Sequence, residues 1–239
     1  MKFINRFFIL ILIYCCIFAY GMVYAQQDKT VAVPQKKGIF DDAMYGHNKT
    51  VISAKKVLID DFEQPSRFNL LNGNTNVYMM APSRIMMATV DDVRDGEATS
   101  VLKLKFLRAS EGGPYDKGGW CGYYSSFVDM NAKRRRYFSA TDFTYLTFYV
   151  KGKTGNENFL IGLADKHWES AGDSVKSGEV IMYLPEKKIT KEWQKAKIPL
   201  TTFLLDLGKL ASFAISFESE CFSDGSGNGV VYIDDIAFE

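Results

Sequence analysis

Two pairs of neighbouring carboxylates stand in near-identical settings at opposite ends of one stretch of chain. Val57-Leu58-Ile59-Asp60-Asp61-Phe62-Glu63 opens it, and Val230-Val231-Tyr232-Ile233-Asp234-Asp235-Ile236-Ala237-Phe238-Glu239 closes it. β-Branched and aromatic residues around such a pair describe a strand running into a polar or cation-binding loop. Calcium takes roughly six to eight oxygen ligands, a few of them carboxylates. If the two strands lie side by side, Asp60, Asp61, Glu63, Asp234 and Asp235 are the carboxylates on offer for such an ion. Side chains alternate across a sheet, so only one member of each pair joins a given site easily. The competing reading gives these groups backbone N–H donors at strand ends, or water.

Aromatic residues carry the second chemistry. Of the 3 Trp, 13 Tyr and 18 Phe, 27 lie beyond residue 25, more than the interior of one domain needs. Trp and Tyr rings stack on the apolar C–H faces of sugar rings while polar neighbours take the hydroxyls. Tyr115-Asp116-Lys117-Gly118-Gly119-Trp120-Cys121-Gly122-Tyr123-Tyr124 has that composition, and so has Asp165-Lys166-His167-Trp168-Glu169. The alternative places Trp120 and Tyr123 in the core and makes 165–178 a solvated loop.

Catalysis finds little support in the residues. There are 2 His, His47 and His167, and no His-Glu-x-x-His, Cys-x-x-Cys or Gly-x-Ser-x-Gly pattern. A glycosidase needs two carboxylates across a groove, and nothing in the sequence selects Asp165 with Glu218 or Glu169 for that task. Asp224-Gly225-Ser226-Gly227-Asn228-Gly229 imitates the start of an EF-hand loop, but strands rather than helices flank it, so it reads as a Gly-rich turn. Lys133-Arg134-Arg135-Arg136 reads first as a solvated loop and second as a contact for an anionic polysaccharide or acidic partner.

The elements that must position these groups begin after a leader. Lys2 and Arg6 precede the apolar run Phe7 to Tyr20, and Val23-Tyr24-Ala25 offers a cleavage site, which describes a secretory signal peptide over 1–25. An uncleaved anchor is the competing reading of that run. Loss of the leader takes 2 of the 29 basic residues and none of the 28 acidic ones, a near-neutral balance that argues against a nucleic-acid partner. Cleavage also leaves no segment for membrane insertion. Residues 26–55 are polar and aperiodic, an N-terminal arm or linker, with a formal sequon at Asn48-Lys49-Thr50. Two cysteines remain, Cys121 and Cys221, which could form a disulfide in an oxidising compartment or stay as buried thiols.

Period-2 patterning fills 56–239. Leu102, Leu104 and Phe106 alternate with Lys103 and Lys105, and Leu146–Lys151 behaves alike. Further strands are expected at 85–89, 121–128, 159–164, 178–183, 194–198 and 213–218, with one short helical stretch at 201–210. Many short strands with punctuating turns predict an all-β jelly-roll β-sandwich.

Ile59-Asp60-Asp61-Phe62-Glu63, Leu102-Lys103-Leu104, Leu146-Thr147-Phe148-Tyr149-Val150-Lys151-Gly152, Glu192-Trp193-Gln194-Lys195-Ala196-Lys197-Ile198-Pro199-Leu200 and Tyr232-Ile233-Asp234-Asp235-Ile236-Ala237-Phe238 occur in an order that resembles the galactose-binding-domain-like jelly rolls of bacterial carbohydrate-binding modules, notably those appended to cellulases and β-glucanases. Complex I assembly-factor-like domains share the opening and the Trp-Gln strand, but their Met-Gly-Gly is replaced by Leu70-Leu71-Asn72-Gly73. The resemblance implies a secreted or envelope, non-catalytic protein that binds a poly- or oligosaccharide on an aromatic-lined concave sheet face, with a structural Ca²⁺ away from the ligand. It implies ligand contacts from Trp120, Tyr123, Asp165, His167, Trp168, Tyr183 and Glu218, and a core position for Trp193. The second reading is a structural or adhesive envelope protein whose sandwich contacts another protein.

Overall fold

A computed structural model describes residues 56–239 apart from Pro65 and Pro114. The leader, the arm through Lys55, His47 and the sequon at Asn48 lie outside the described residues. Eleven strands build two antiparallel sheets: β1 (Val57–Asp60), β2 (Thr75–Met79), β3 (Arg84–Arg94), β4 (Glu97–Arg108), β5 (Cys121–Ser126), β6 (Tyr145–Gly152), β7 (Leu160–Asp165), β8 (Val175–Glu179), β9 (Gln194–Pro199), β10 (Leu210–Phe217) and β11 (Gly227–Phe238). One sheet runs β3-β4-β11-β6-β9, with β1 also on β11; the other runs β2-β5-β10-β7-β8. The expected all-β sandwich is therefore the fold.

Alternation explains the layers. Leu102, Leu104 and Phe106 turn inward from β4, and Phe213, Ile215 and Phe217 from β10, all buried. Phe106 and Phe217 stack with ring centroids 3.8 Å apart across the interface, and Phe138 stacks on Phe238 at 5.2 Å. Phenylalanine supplies 11 of the 44 buried hydrophobic residues, each ring contributing about 1.5–3 kcal/mol on burial. The aromatic surplus that remains is mostly Tyr and Trp, residues with a polar edge suited to a wet surface.

The two carboxylate-bearing strands do pair: Val57 faces Phe238 and Asp60 faces Ile236, with a register shift between Leu58 and Asp60. Beside them the β3–β4 hairpin turns through Asp95 and Gly96, both at positive φ (55° and 85°), the backbone that a two-residue turn matching strand twist requires. Its tip folds back over the outer face of the larger sheet. Trp193 Nε1 donates to the Val93 carbonyl at 3.1 Å, and Lys151 Nζ lies 2.7 Å from Asp92. Trp193 thus sits on the outer face beneath the hairpin, not in the core as its setting in the sequence implied.

Three local expectations change. The helical stretch at 201–210 resolves into two single 3-10 turns, 200–202 and 207–209. The strand expected at 178–183 is displaced toward the N-terminus as β8 and gives way to a 3-10 turn at 180–183. A short helix, α1 (Lys166–Ala171), replaces a loop: Asp165 accepts from the His167 and Trp168 N–H groups, and Gly172 closes it in the left-handed region at φ 72°. The Cys121–Cys221 disulfide is not formed; both thiols are free and buried. Cys121 opens β5 with its Sγ toward the Leu107 carbonyl at 3.8 Å, whereas Cys221 ends a 3-10 turn after β10. Burial pushes both thiols up to about 12, which leaves them protonated and inert.

Candidate functional site

The outer face of the β2-β5-β10-β7-β8 sheet has a floor of small side chains. Ala214 of β10 lies between Tyr124 of β5 and Gly162 of β7; Ser212 lies between Ser126 and Ala164. Ser216 faces Gly122 one step along. Of these small residues Ser126, Ser212 and Ala214 form the floor of a groove of about 640 Å³, which larger side chains would have filled.

Its two walls differ. Tyr78, Trp120 and Tyr124 line the groove from the β2–β5 side. Tyr78 lies across Gly122, where an added Cβ would come within 2.3 Å of the tyrosine hydroxyl and 2.4 Å of its ring. Only glycine admits that close approach. The Tyr78 hydroxyl is 2.6 Å from Ser216 Oγ, and burial pushes it up to about 12, so it stays a neutral donor. Asn74 Nδ2 donates to the Tyr124 hydroxyl at 3.2 Å and fixes its edge. Trp120 is 38% exposed, its face open to the groove.

The other wall is polar. Glu169, Asp173, Ser174, Lys176 and Glu218 line it. Lys176 Nζ donates to Ser174 Oγ at 2.8 Å and lies 3.8 Å from Asp173. Burial lifts the Glu218 carboxyl above its usual range, with Lys176 and Arg108 pulling the other way. Arg135, from the basic run, pairs with Glu169, so that run touches the rim of the groove at one residue. A trough with apolar rings on one side and carboxylates, an ammonium and hydroxyls on the other suits a ligand with flat apolar faces and hydroxyl-bearing edges.

Of the residues singled out in the sequence, Trp120 and Glu218 line the groove. Tyr123 does not: at 1% exposure it points into the core, and its neighbour Tyr124 takes the outward position. Asp165 is 6% exposed and works as a cap, accepting from the N–H groups of His167 at 2.8 Å, Trp168 at 3.0 Å and Asp206 at 2.9 Å. Burial alone would raise this carboxyl, but those bonds hold it below its ordinary value. His167 and Trp168 pack edge to face on α1, ring centroids 5.7 Å apart, and neither lines the groove. Their helix still matters, because Glu169 and the capping Gly172 supply its wall. Tyr183, in the 180–183 turn, also stands outside the groove lining.

Tyr78, Tyr124, Asp173, Lys176 and Ala214 were not anticipated. Strand parity was the available signal for one of them: a Trp120 that faces outward puts Gly122, Tyr124 and Ser126 outward and Tyr123 inward.

The acidic residues at the far sheet are engaged by donors of the protein itself. Among the described residues no three metal-ligating side chains come together. Asp60 accepts from Phe62 N at 3.1 Å and Asp61 from Glu63 N at 3.3 Å. Glu63 accepts from Thr99 Oγ1 at 2.7 Å and from Ser100 N at 3.1 Å. Asp234 and Asp235 instead hold Arg94, with Nη1 3.0 Å from Asp234 and Nη2 2.8 Å from Asp235. The Arg94 guanidinium also lies 4.1 Å over the Tyr149 ring. The cation beside these two aspartates is thus a side chain of the protein.

The family described as Carbohydrate binding domain 30 matches residues 74–239. The family 30 carbohydrate-binding module of the cellulosomal cellulase Cel9D-Cel44B of Clostridium thermocellum is 19% identical over 77% of this chain and 97% of its own, with a TM-score of 0.53. A family 11 module from Clostridium thermocellum, solved in complex with a β-1,3-1,4-mixed-linked tetrasaccharide, is 14% identical over 78% of this chain and 96% of its own, at a TM-score of 0.55. These likenesses are of fold. Among curated proteins nothing matches.

Proposed function

We propose, on the premise that the chain belongs to the Carbohydrate binding domain 30 family, that its groove holds a β-linked glucan, mixed-linkage β-1,3-1,4-glucan first among candidates. The chain is a carbohydrate-binding module; the identity of the glycan and the residues that hold it are the finer reading. One observation carries that reading: the small-residue floor lies between the rings of Tyr78, Trp120 and Tyr124 and the polar groups of Lys176 and Glu218. In a β-linked glucose chain the hydroxyls are equatorial, so each ring has two apolar faces and a polar girdle. The aromatic wall meets a face, and the polar wall meets the girdle, where bonds to charged acceptors are the stronger ones.

Binding is then recognition without turnover, in an extracellular setting. The secretory leader read from the sequence supports that setting, as do the cellulosomal enzymes named with the similar modules. Titration of the full chain with mixed-linkage β-glucan tests the reading. Tyr124→Ala and Trp120→Ala should each weaken binding by about 1–2 kcal/mol, roughly 5- to 30-fold, with the fold intact. Unchanged affinity in both variants would place the glycan elsewhere.

A further inference from the structure

The opposite outer face, that of the larger sheet, carries a sequence pattern repeated on three strands: Lys103-Leu104-Lys105, Lys151-Gly152-Lys153 and Lys195-Ala196-Lys197. In each the middle residue is buried, so both lysines stand on the solvent side. The strands concerned are β4, β6 and β9, all in one sheet with β11 between the first two. Tyr232 of β11 is in register with Lys103 on one side and Lys151 on the other. Within a pair the lysines are about 6.5–7 Å apart, and neighbouring strands are about 5 Å apart. The result is an irregular grid of ammonium groups: Lys103 and Lys151 flank Tyr232, whereas Lys195 is in register with Tyr149 and Lys197 with Thr147.

Few of these charges are neutralised. Lys151 pairs with Asp92 and Lys195 with Glu239. Among the described residues Lys103, Lys105, Lys153 and Lys197 have no ion pair, and Arg84 at the edge is exposed beside them. The chain as a whole carries a formal net charge of only +1, and the acidic groups on this face, Asp92, Asp234, Asp235 and Glu239, are held by Lys151, Arg94 and Lys195 and leave the other lysines uncompensated. Acidic groups gather at the groove, in Glu169, Asp173 and Glu218, on the other side of the sandwich.

We propose that this lysine grid is a second binding surface, for a linear polyanionic polysaccharide with a carboxylate on each sugar. Several unpaired point charges on one face match a polymer whose charges recur at each residue, and lysine, lacking the fork of arginine, accepts carboxylates in varied orientations. Rings lie between the ladders: Lys151 Nζ is 5.0 Å over Trp193 and 5.4 Å over Tyr232, and Lys197 Nζ is 4.0 Å over Tyr145. Because these rings sit under ammonium groups, they do not stand out as the anchors a bilayer surface would engage. A charged polysaccharide is favoured over an anionic membrane for that reason.

The experiment is equilibrium binding of the full chain to polygalacturonate in about 20 mM and about 500 mM NaCl, conditions that bracket strong and weak screening. Binding is expected at low salt and lost at high salt. Lys103→Gln with Lys105→Gln and Lys197→Gln should weaken it by about tenfold or more and leave β-glucan binding unchanged. The double variant Lys105→Gln/Lys197→Gln, at two fully solvent-facing positions, repeats the test should the triple variant fold poorly. Three results would overturn the proposal: no binding at low salt, binding unaffected by both variants, or equal binding to phosphatidylglycerol vesicles. Failure of the glucan reading would show separately, as loss of neutral-glucan binding alone.

Discussion

The outer faces of the two sheets obey one alternation rule and end as opposites. On the smaller sheet the outward positions of β5 and β10 that line the groove include Ser126, Ser212 and Ala214, small side chains that leave its floor low. On the larger sheet the outward positions hold Lys103, Lys105, Tyr149, Lys151, Lys195 and Tyr232, long side chains that build the surface up. A hairpin tip then folds over part of that surface through Arg94 and Val93. Recognition of a neutral chain needs vacant volume flanked by rings, and the first face provides it by omission. The second face contributes charge.

The sharpest way to break this contrast is to fill the groove. Ala214 sits at the middle of the floor between Tyr124 and Gly162. An indole there, Ala214→Trp, occupies the space a sugar needs while projecting away from the core. Glucan affinity should fall by about 100-fold or more, about 2.8 kcal/mol, with little change in Tm. Retained affinity in a titration would show that the ligand lies off the floor.

The next effect belongs to the other face and to stability. Asp234 is 0% exposed and is compensated by Arg94. Arg94→Ala leaves that carboxylate beside Asp235 with no cation, a change that costs about 3 kcal/mol, the low end for a buried pair broken from one side because Arg94 keeps some exposure. Urea unfolding would measure the loss. Glucan affinity should not move, and a parallel fall would mean that the two faces are coupled through the core.

How much of this could be seen in the sequence differs between the faces in an instructive way. The inward and outward registers of β4 and β6 are written in Leu102, Leu104 and Phe106 against Lys103 and Lys105, and the pairing of first with last strand follows from their matching runs. Trp120 and Glu218 were visible because large or charged residues next to strands draw notice. The floor was not, because Ser126, Ser212 and Ala214 signal only by small size. An outward Trp120 places Tyr124 outward and Tyr123 inward by strand parity. Lys176 and Asp173 come from β8 and the turn after α1, and nothing local in the sequence says that their strand lies beside β7. The aspartate cap at Asp165, read as a ligand contact, looks the same in sequence as a binding carboxylate. Only its three N–H donors distinguish the two.

A smaller effect probes the carboxylates under the hairpin. Burial raises Asp60 to about 7, with Asp61 and Asp234 adding repulsion and the Phe62 N–H bond opposing. Asp234 is lifted to about 6 by burial, against the pull of Arg94. Both folded-state values exceed the usual 3.8, so between about pH 4 and pH 7 the native state holds protons that the unfolded chain has released. Stability from these two groups is therefore greatest in acid and declines as pH rises through that window. Asp60→Asn keeps an acceptor for Phe62 N without the charge. It should add about 1–2 kcal/mol at pH 7.5 and flatten the pH dependence above pH 5. A variant no more stable at pH 7.5 than at pH 5, relative to the parent, would count against the burial argument.

The smallest expected effect separates a cation supplied by the chain from one taken from solution. Calcium at about a hundred times its dissociation constant would stabilise a native site by about 2.7 kcal/mol, a shift easily read as Tm. With Arg94 already 3.0 Å from Asp234 and 2.8 Å from Asp235, an incoming ion would have to displace a guanidinium from two carboxylates. It would also have to draw Glu63 away from Thr99 and Ser100. The expectation is no shift with Ca²⁺ beyond that given by Mg²⁺. In Arg94→Ala the two aspartates are vacated, and a Ca²⁺-specific recovery of Tm in that variant alone would identify the guanidinium as the occupant of a cation position. A shift in the parent chain would instead mean that Asp60, Asp61 or Glu63 rearranges to bind the ion.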